Sequence, residues 1–419
     1  MSARDVLRVA PLCAAGFLAF GYNNVLMAVL PSYLTAAGMT LGEAGVQNGV
    51  FLILAVGLRF ALGSVADRRG PRWAMLVGMA SFAVGALMLA LPLHFGTVLA
   101  ARCVQAVGLA LFWPAATAAV TLMAPPGRQG RYLGRYRFFT SLALLVGPAF
   151  GFWVGEQWGF RALFLVAVVA AVGAGFLVLA CPSTGRGKAG GRSSSDASPV
   201  GRAPGNACGD GAAEEASGHR RPQRWGLVDA GGTSLALAIG LSAVAALGYG
   251  LVFSFSSTFL AAAGFPDDAG GYFTGIGLGS LALNLGSGWL LDRCGHHGVL
   301  AACLGAMALG MGLIVSAGNV PALLGVSGLL VGGGYGGAMT AAQTLTAARS
   351  AESVRTSVLA WQQNAIDIGI AAASVAFGFV FAATSAANPV PFLLQAAALL
   401  VGALIACVCN RFSRSGKER

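Results

Sequence analysis

The chain alternates long apolar segments with short polar breaks along almost its whole length. Twelve segments reach about 20 residues, the length that an α-helix needs to cross the hydrocarbon core of a bilayer. They lie near 10–34, 44–66, 73–93, 97–123, 132–155, 160–181, 230–262, 269–291, 298–317, 321–346, 355–382 and 389–410. After the sixth, residues 182–224 are rich in Gly, Ser, Arg and Pro and show no apolar period. The pattern predicts an all-α membrane protein with twelve transmembrane helices and a disordered linker in its middle.

A repeated passage divides the predicted helices into two halves. Four residues near the end of the second segment, Gly63, Asp67, Arg68 and Gly70, recur 225 positions later as Gly288, Asp292, Arg293 and Gly295. Upstream, Leu34, Ala36, Ala37 and Gly38 recur at an offset of 226 as Leu260, Ala262, Ala263 and Gly264. We therefore predict pseudo-symmetric six-helix bundles at 1–181 and 227–410, a linker at 182–226 and a tail at 411–419. A duplicated membrane half is typical of a carrier that opens alternately on its two sides.

Composition and charge agree with a membrane protein and give its orientation. Hydrophobic residues make up 56% of the chain and charged residues 10%, with a mean hydropathy of +0.74. Soluble domains carry about 25% charged residues, so lipid must solvate this chain. Of its 26 Lys and Arg residues, all but Arg59, Arg102 and Arg161 fall on one side of the predicted bundle. The positive-inside rule then predicts cytoplasmic termini and a cytoplasmic linker, in the inner (plasma) membrane of the cell.

The net charge of +11 is interpreted as a signal for topology and lipid headgroups. No nucleic-acid partner is expected, because no aromatic residues alternate with the linker charges. The eight cysteines show no metal-ligand spacing, so neither a metal nor a cofactor is expected. The only lysines, Lys188 and Lys417, are not followed by Ser or Thr, which excludes a Walker A site. We therefore do not expect an enzyme, and transport would be driven by an ion or solute gradient.

Several motifs fall in the right segments and order to resemble the major facilitator superfamily. The turn Gly-x-x-x-Asp-Arg-x-Gly follows the second and the eighth segment, and Arg102-Cys103-Val104-Gln105 resembles the Arg-x-x-Gln-Gly motif of the fourth. Gly147-Pro148-Ala149-Phe150-Gly151 resembles the Gly-Pro-x-x-Gly motif that marks antiporters in the fifth. The chain departs from these patterns at Pro71, Ala106, Ala143 and Phe152. The resemblance covers the whole chain except the linker, and it is nearest to proton-coupled drug and metabolite antiporters with twelve spans.

The resemblance implies gating roles for the repeated turns and for the fifth span. Asp67 would accept hydrogen bonds from a facing helix N-terminus or from Arg72, and so hold the halves together on the cytoplasmic side. The other residues that the resemblance assigns to gating are Arg68, Gly147, Pro148, Asp292 and Arg293. The alternatives are that the arginines only set topology and that Gly147-Pro148 is a simple packing kink.

Polar side chains inside the predicted spans are the candidates for the transport site, since burying them in a bilayer is costly. The candidates for substrate binding are Tyr22, Asn23, Asn24, Arg59, Arg102, Gln105, Asn284, Gln343, Gln363 and Asn364. Asp367 is the candidate for proton coupling, because burial disfavours the charged form of a carboxyl group. A structural salt bridge from Asp367 to an arginine of the other half stays open as an alternative. Arg102 is either a ligand or a structural or relay group, and Arg59 either a ligand or a residue that reaches the inner interface.

Two arginines against one aspartate would leave this site positive or neutral. We therefore expect a monomeric secondary transporter that exports a small polar solute, anionic or zwitterionic, in exchange for protons. The alternative within transport is a proton-coupled uptake symporter for an organic anion. A membrane receptor or sensor on the same fold is the alternative outside transport.

Overall fold

The computed structural model of the protein describes residues 3–91, 94–124, 129–181, 232–316, 322–350 and 355–415. The predicted linker and the last four residues of the predicted tail lie outside these ranges. The described part is helical, with one short 3-10 turn at Pro266–Asp268. Its α-helices are α1 (Ala3–Ala36), α2 (Leu41–Arg69), α3 (Pro71–Leu89), α4 (Phe95–Met123), α5 (Gln129–Ala180), α6 (Gly232–Ala262), α7 (Ala269–Ser316), α8 (Ala322–Arg349), α9 (Arg355–Ala383) and α10 (Val390–Ser415).

Over the described residues, ten helices are long and apolar enough to cross a membrane. The difference from the twelve predicted segments comes from α5 and α7. Helix α5 runs for 52 residues through the fifth and sixth segments, and α7 runs for 48 residues through the eighth and ninth. Each contains one residue with non-helical backbone angles, Gly159 in α5 and Gly295 in α7. The apolar pattern predicted breaks at these places, and in the structure each break is a kink at a single glycine.

Local sequence signals explain where the helices begin and turn. Thr40 and Glu43 form a capping box at the start of α2, in which each side chain accepts a hydrogen bond from the other residue's backbone N–H. Between α2 and α3, Gly70 has a φ of 87°, and Pro71 then occupies the first position of α3. The repeat partner of Gly70, Gly295, has a φ of 74°. This positive φ favours glycine, so the repeated sequence encodes a repeated backbone turn.

The helices pack as two sets, α1–α5 and α6–α10, which meet mainly along three pairs of helices. These pairs are α1 with α6, α2 with α9, and α5 with α7. We call the end of the molecule that holds the turns at Gly38 and Gly264 the Gly38 end, and the opposite end the Gly70 end. Near the Gly38 end, the hydroxyl oxygens of Ser32 and Ser257 lie 2.6 Å apart, so the last turns of α1 and α6 touch.

Small residues let the helices of the second set approach closely. Helix α8 carries the run Gly332–Gly337, and it packs against both segments of α7. A Cβ atom added at Gly332 would collide with the backbone carbonyl of Ile276, and one at Gly334 would lie 2.6 Å from the carbonyl oxygen of Cys303. The glycine run therefore serves helix packing, as is common inside membranes.

Candidate functional site

The central feature of the candidate site is an ion pair between the two helix sets. Arg59 of α2 binds the carboxylate of Asp367 of α9, and this is the one ion pair among the side chains that the structure describes. Arg59 also donates a hydrogen bond of 3.4 Å to Asn364, and Gln363 donates one of 3.2 Å to the second carboxylate oxygen of Asp367. The side chains of Arg59 and Asp367 are 17% and 9% exposed. We call these four residues the α2–α9 cluster.

The α2–α9 cluster forms because these two helices pack together along much of their length. Toward the Gly38 end, Gly45 lies against the backbone of Ser374, and Gly49 lies against Val375. Toward the Gly70 end, the rings of Phe60 and Trp361 lie 5.9 Å apart. Glycine on α2 thus brings the backbones close enough for Arg59 to reach Asp367 directly. Arg59 is therefore held in the interface between the two helix sets.

A second polar cluster surrounds Arg102 of α4, which is only 1% exposed. Its guanidinium donates to Gln47 at 2.6 Å, to Gln105 at 2.9 Å and to Asn48 at 3.1 Å, and the ring of Phe51 lies 4.3 Å from it. Its hydrogen-bond acceptors are therefore neutral amide oxygens, with an aromatic face alongside. Arg102 and Gln105 share one face of α4, as their spacing predicted, but they point into the first helix set and not into the α2–α9 cluster.

The Arg102 cluster continues across the interface through Asn48. The amide of Asn48 donates to Ser374 of α9 at 3.0 Å and to Ser254 of α6 at 3.1 Å, and the two serine hydroxyls lie 2.8 Å apart. All three side chains are buried. A continuous chain of hydrogen bonds thus connects a buried cation in the first set to hydroxyl groups in the second.

Asn284 lies in a third polar group, where α5 packs against α7. Its amide lies 3.4 Å from the hydroxyl of Ser141 in α5, and its carbonyl oxygen accepts a hydrogen bond of 3.2 Å from Thr340 in α8. Farther toward the Gly38 end, Phe152 stacks on Phe273 at 5.8 Å. Asn284 is exposed, so it is the candidate of this group that a solute can reach.

The remaining binding candidates lie apart from these clusters. Tyr22 is buried and donates to the carbonyl of Phe82 at 2.7 Å. Asn24 donates to the carbonyl of Phe20 at 2.8 Å, and the amide of half-buried Asn23 lies 3.5 Å from the sulfur of Met27. Gln343 is half-buried on α8. The side chains of Tyr22 and Asn24 therefore donate hydrogen bonds to backbone carbonyls of the first set. The side chains of Asn23 and Gln343 are partly accessible.

The gating candidates Arg68, Arg72, Asp292 and Arg293 lie beside the turns at Gly70 and Gly295. The side chain of Asp67 lies outside the described part. Arg72 donates to the carbonyl oxygen of Leu179 at the end of α5, at 2.5 Å. Arg68, Asp292 and Arg293 are exposed, and the Arg293 guanidinium lies 5.5 Å from the centre of the Trp289 ring.

Gly147 and Pro148 are buried in the middle of α5. A Cβ atom at Gly147 would lie 3.5 Å from the backbone of Gly21, so this part of α5 packs against α1 within the first set.

The polar residues that sequence reasoning missed are Gln47, Asn48, Ser141, Ser254, Thr340 and Ser374. Two sequence signals point to some of them. Gln47 and Asn48 are adjacent amides inside an apolar segment, and Ser254 opens a run of four hydroxyl residues within five positions of α6. Ser141, Thr340 and Ser374 carry no such signal, because single hydroxyl residues commonly bond the backbone of their own helix.

Three comparisons place the chain among known proteins. A family model described as the Major Facilitator Superfamily matches residues 12–270. An uncharacterized MFS-type transporter of Mycobacterium tuberculosis is 33% identical over 174 residues, which cover 40% of this chain and 30% of that protein. The tetracenomycin C resistance and export protein of Streptomyces glaucescens is 31% identical over 137 residues, which cover 32% of this chain and 25% of that protein. The matched stretch thus spans less than a third of the length of these curated relatives.

Among solved structures, the crystal structure of a D-xylose-proton symporter superposes with a TM-score of 0.73. The superposition covers 96% of this chain and 97% of the symporter, at 14% sequence identity. At that identity the likeness concerns the fold alone.

Proposed function

The chain belongs to the major facilitator superfamily and is a multi-pass membrane transporter rather than an enzyme, and on that premise we propose that it exports a small polar solute in exchange for protons. The observation that carries this proposal is the Arg59–Asp367 ion pair between the two helix sets. Asp367 is the proposed proton-coupling residue, and Arg59, Gln363 and Asn364 are the proposed solute ligands beside it.

The ion pair supports exchange because a proton and a solute compete for one carboxylate. A zwitterion can insert into the pair, with its carboxylate on Arg59 and its ammonium on Asp367. Protonation of Asp367 removes the partner of that ammonium and expels the solute. Each state of the site therefore holds either a proton or a zwitterion, which is the condition for antiport.

The same pair supports a symporter if the solute is an anion without an ammonium group. Protonation of Asp367 then releases Arg59, and the free guanidinium binds the carboxylate of the solute. Proton and anion would be held together and would cross together. This alternative, uptake of an organic anion, rests on the same residues, and the charge of the solute distinguishes it from export.

The proposal includes the topology expected from the sequence. At 1.5 Å per residue, α5 would extend about 78 Å without its kink, whereas a bilayer with its headgroups is about 40–45 Å thick. We propose that α5 and α7 each cross twice, at the kinks at Gly159 and Gly295, which gives twelve crossings in two six-helix halves joined through 182–226. Both termini would then be cytoplasmic in the plasma membrane, and the transporter would work as a monomer.

Proteoliposomes with an imposed proton gradient test the proposal. We would load a pH-sensitive dye and add a panel of amino acids as zwitterions and of simple carboxylates as anions. For export we expect protons to move opposite to a zwitterion. Asp367→Asn should lose both this proton movement and zwitterion exchange without a gradient, because the neutral amide, like the protonated carboxyl group, offers no partner to the ammonium. Asp268→Asn, in the 3-10 turn, is the matched control and should behave like the wild type. Gradient-driven transport that is unchanged in Asp367→Asn would remove Asp367 from the mechanism.

A further inference from the structure

A groove lies on the outer face of the first helix set, and none of its lining residues belongs to the polar clusters of the candidate site. It runs between α3 and the second segment of α5, and its walls include Leu76, Met79 and Ala83 on one side and Ala171, Gly175 and Leu179 on the other. The lining is almost wholly apolar. The groove has free space at Gly175, because a Cβ atom there would meet only the Cβ of Met79, at 3.8 Å.

One end of this groove carries positive charge. Leu179, which lines that end, accepts the 2.5 Å hydrogen bond from Arg72 through its backbone carbonyl. This hydrogen bond uses one of the five N–H donors of the guanidinium. Arg68 and Arg69 are exposed in the last turn of α2, and the Arg69 guanidinium lies 4.8 Å from the ring centre of Trp73. In sequence, the turn carries these three arginines against one aspartate, Asp67.

We propose that this groove binds one anionic phospholipid, with an acyl chain along the apolar walls and its phosphate on Arg72. The apolar walls and the Arg72 guanidinium follow each other as the acyl chain and the phosphate do in such a lipid, since the groove leads directly to the guanidinium. Arginine suits a phosphate because its planar fork donates two parallel hydrogen bonds. Phe176 is 67% exposed at the rim, which leaves the groove open to the side, where lipid surrounds a membrane protein.

A solute of the transport site is a poor occupant of this groove. The walls belong to α3 and α5 alone. No lining side chain is charged, and a zwitterion or an anion would find no polar partner along its length. An acyl chain needs none, and an anionic headgroup finds its counter-charge at the end beside Arg72.

Native mass spectrometry of the full chain in mild detergent tests the proposal. The probes are dioleoyl phosphatidylglycerol, which is anionic, and dioleoyl phosphatidylcholine, which has the same acyl chains and no net charge. We expect one phosphatidylglycerol to bind about fivefold more tightly than phosphatidylcholine, the factor for one arginine near an anionic surface. Arg72→Gln should remove that preference, whereas the matched control Arg293→Gln, at the repeated turn, should keep it.

A groove-filling variant tests the acyl-chain half of the proposal. Gly175→Leu should abolish the tight adduct of both lipids, and Ala83→Leu, on the opposite wall, should do the same if the first variant does not fold. Equal binding of the two lipids to the wild type would overturn the proposal. So would a preference for phosphatidylglycerol that survives in Arg72→Gln, or tight adducts that survive in the folded groove variants.

Discussion

At the scale of single residues, Arg59 and Asp367 show how the protein places opposite charges in a membrane. Each charge alone would be costly inside a bilayer, and pairing offsets part of that cost. The pair gives little net stability, because desolvation takes back most of the Coulomb attraction. Because the ion pair joins two helix sets and does not lie within one, it affects how the two sets contact each other.

A double-mutant cycle on this pair separates stability from function. We expect Arg59→Leu and Asp367→Leu each to lower the free energy of unfolding by about 3–5 kcal/mol, because each leaves a buried charge unpaired. The double variant should return to within about 1 kcal/mol of the wild type, because it buries no charge. Denaturant unfolding in detergent measures these values, and the proteoliposome assay should show no proton exchange in the restored double variant. A double variant that is as unstable as the singles would contradict this view of the pair.

The sequence predicted part of this site and left its pairing open. Arg59, Asn364 and Asp367 were identified because polar groups inside apolar segments are rare. A salt bridge from Asp367 to an arginine of the other half was one alternative, but the sequence did not specify which arginine, since Arg59 and Asp367 are 308 positions apart and nothing local identifies the partner. For Arg102 the sequence left two roles open, a ligand or a structural or relay group. Its side chain donates to the amides of Gln47 and Asn48 of α2 and lies in a cluster separate from the α2–α9 cluster.

At the scale of helices, glycine decides which surfaces can approach each other. Gly332 of α8 lies directly on the backbone of Ile276 in α7, whereas a Cβ atom at Gly312 of α7 would meet nothing within 4 Å. Both residues are glycines inside a helix, so they differ mainly in whether a neighbouring helix lies against them. Substituting each of them therefore tests how much close helix packing contributes to stability.

We expect Gly332→Ala to destabilise the protein by about 1–3 kcal/mol or more, because overpacking forces α7 and α8 apart. Gly312→Ala should be neutral or stabilising by up to about 1 kcal/mol, since alanine is the better helix former. Thermal unfolding of both variants in the same detergent is the measurement. Equal stability of the two variants would show that α8 moves away from α7 without cost.

Helix positions followed from the apolar pattern more closely than helix ends did. Helix α1 begins at Ala3, well before the apolar segment that starts near residue 10, because charged residues can continue a helix beyond the hydrocarbon. The pattern placed breaks inside α5 and α7, and the structure narrows each to one glycine with a φ of 74–79°. The apolar pattern locates the part of a helix that crosses the membrane, whereas backbone hydrogen bonding determines how far the helix itself extends.

At the scale of the whole molecule, the sequence repeat has a counterpart in backbone geometry. Gly38 and Gly264 have φ values of 89° and 95°, and Gly70 and Gly295 have 87° and 74°. Four of the five positive-φ glycines in the described residues thus form two repeat pairs, and Gly159 stands alone. The sequence repeat is thus matched by repeated backbone turns in the two sets, as expected for a carrier built from two related bundles.

The contact of Ser32 with Ser257 gives the sharpest test of that motion. Near the Gly38 end it joins α1 to α6, and its oxygens lie 2.6 Å apart, so two cysteines there should be close enough to form a disulfide. In a chain whose eight native cysteines are replaced, oxidised Ser32→Cys/Ser257→Cys should lose at least about 90% of proton-coupled exchange, because an alternating-access carrier must part its halves at each end in turn. Reductant should restore exchange, and each single variant should be insensitive to oxidation. Exchange at the wild-type rate in the cross-linked protein would mean that this end stays closed during transport, and the carrier would then have to open elsewhere.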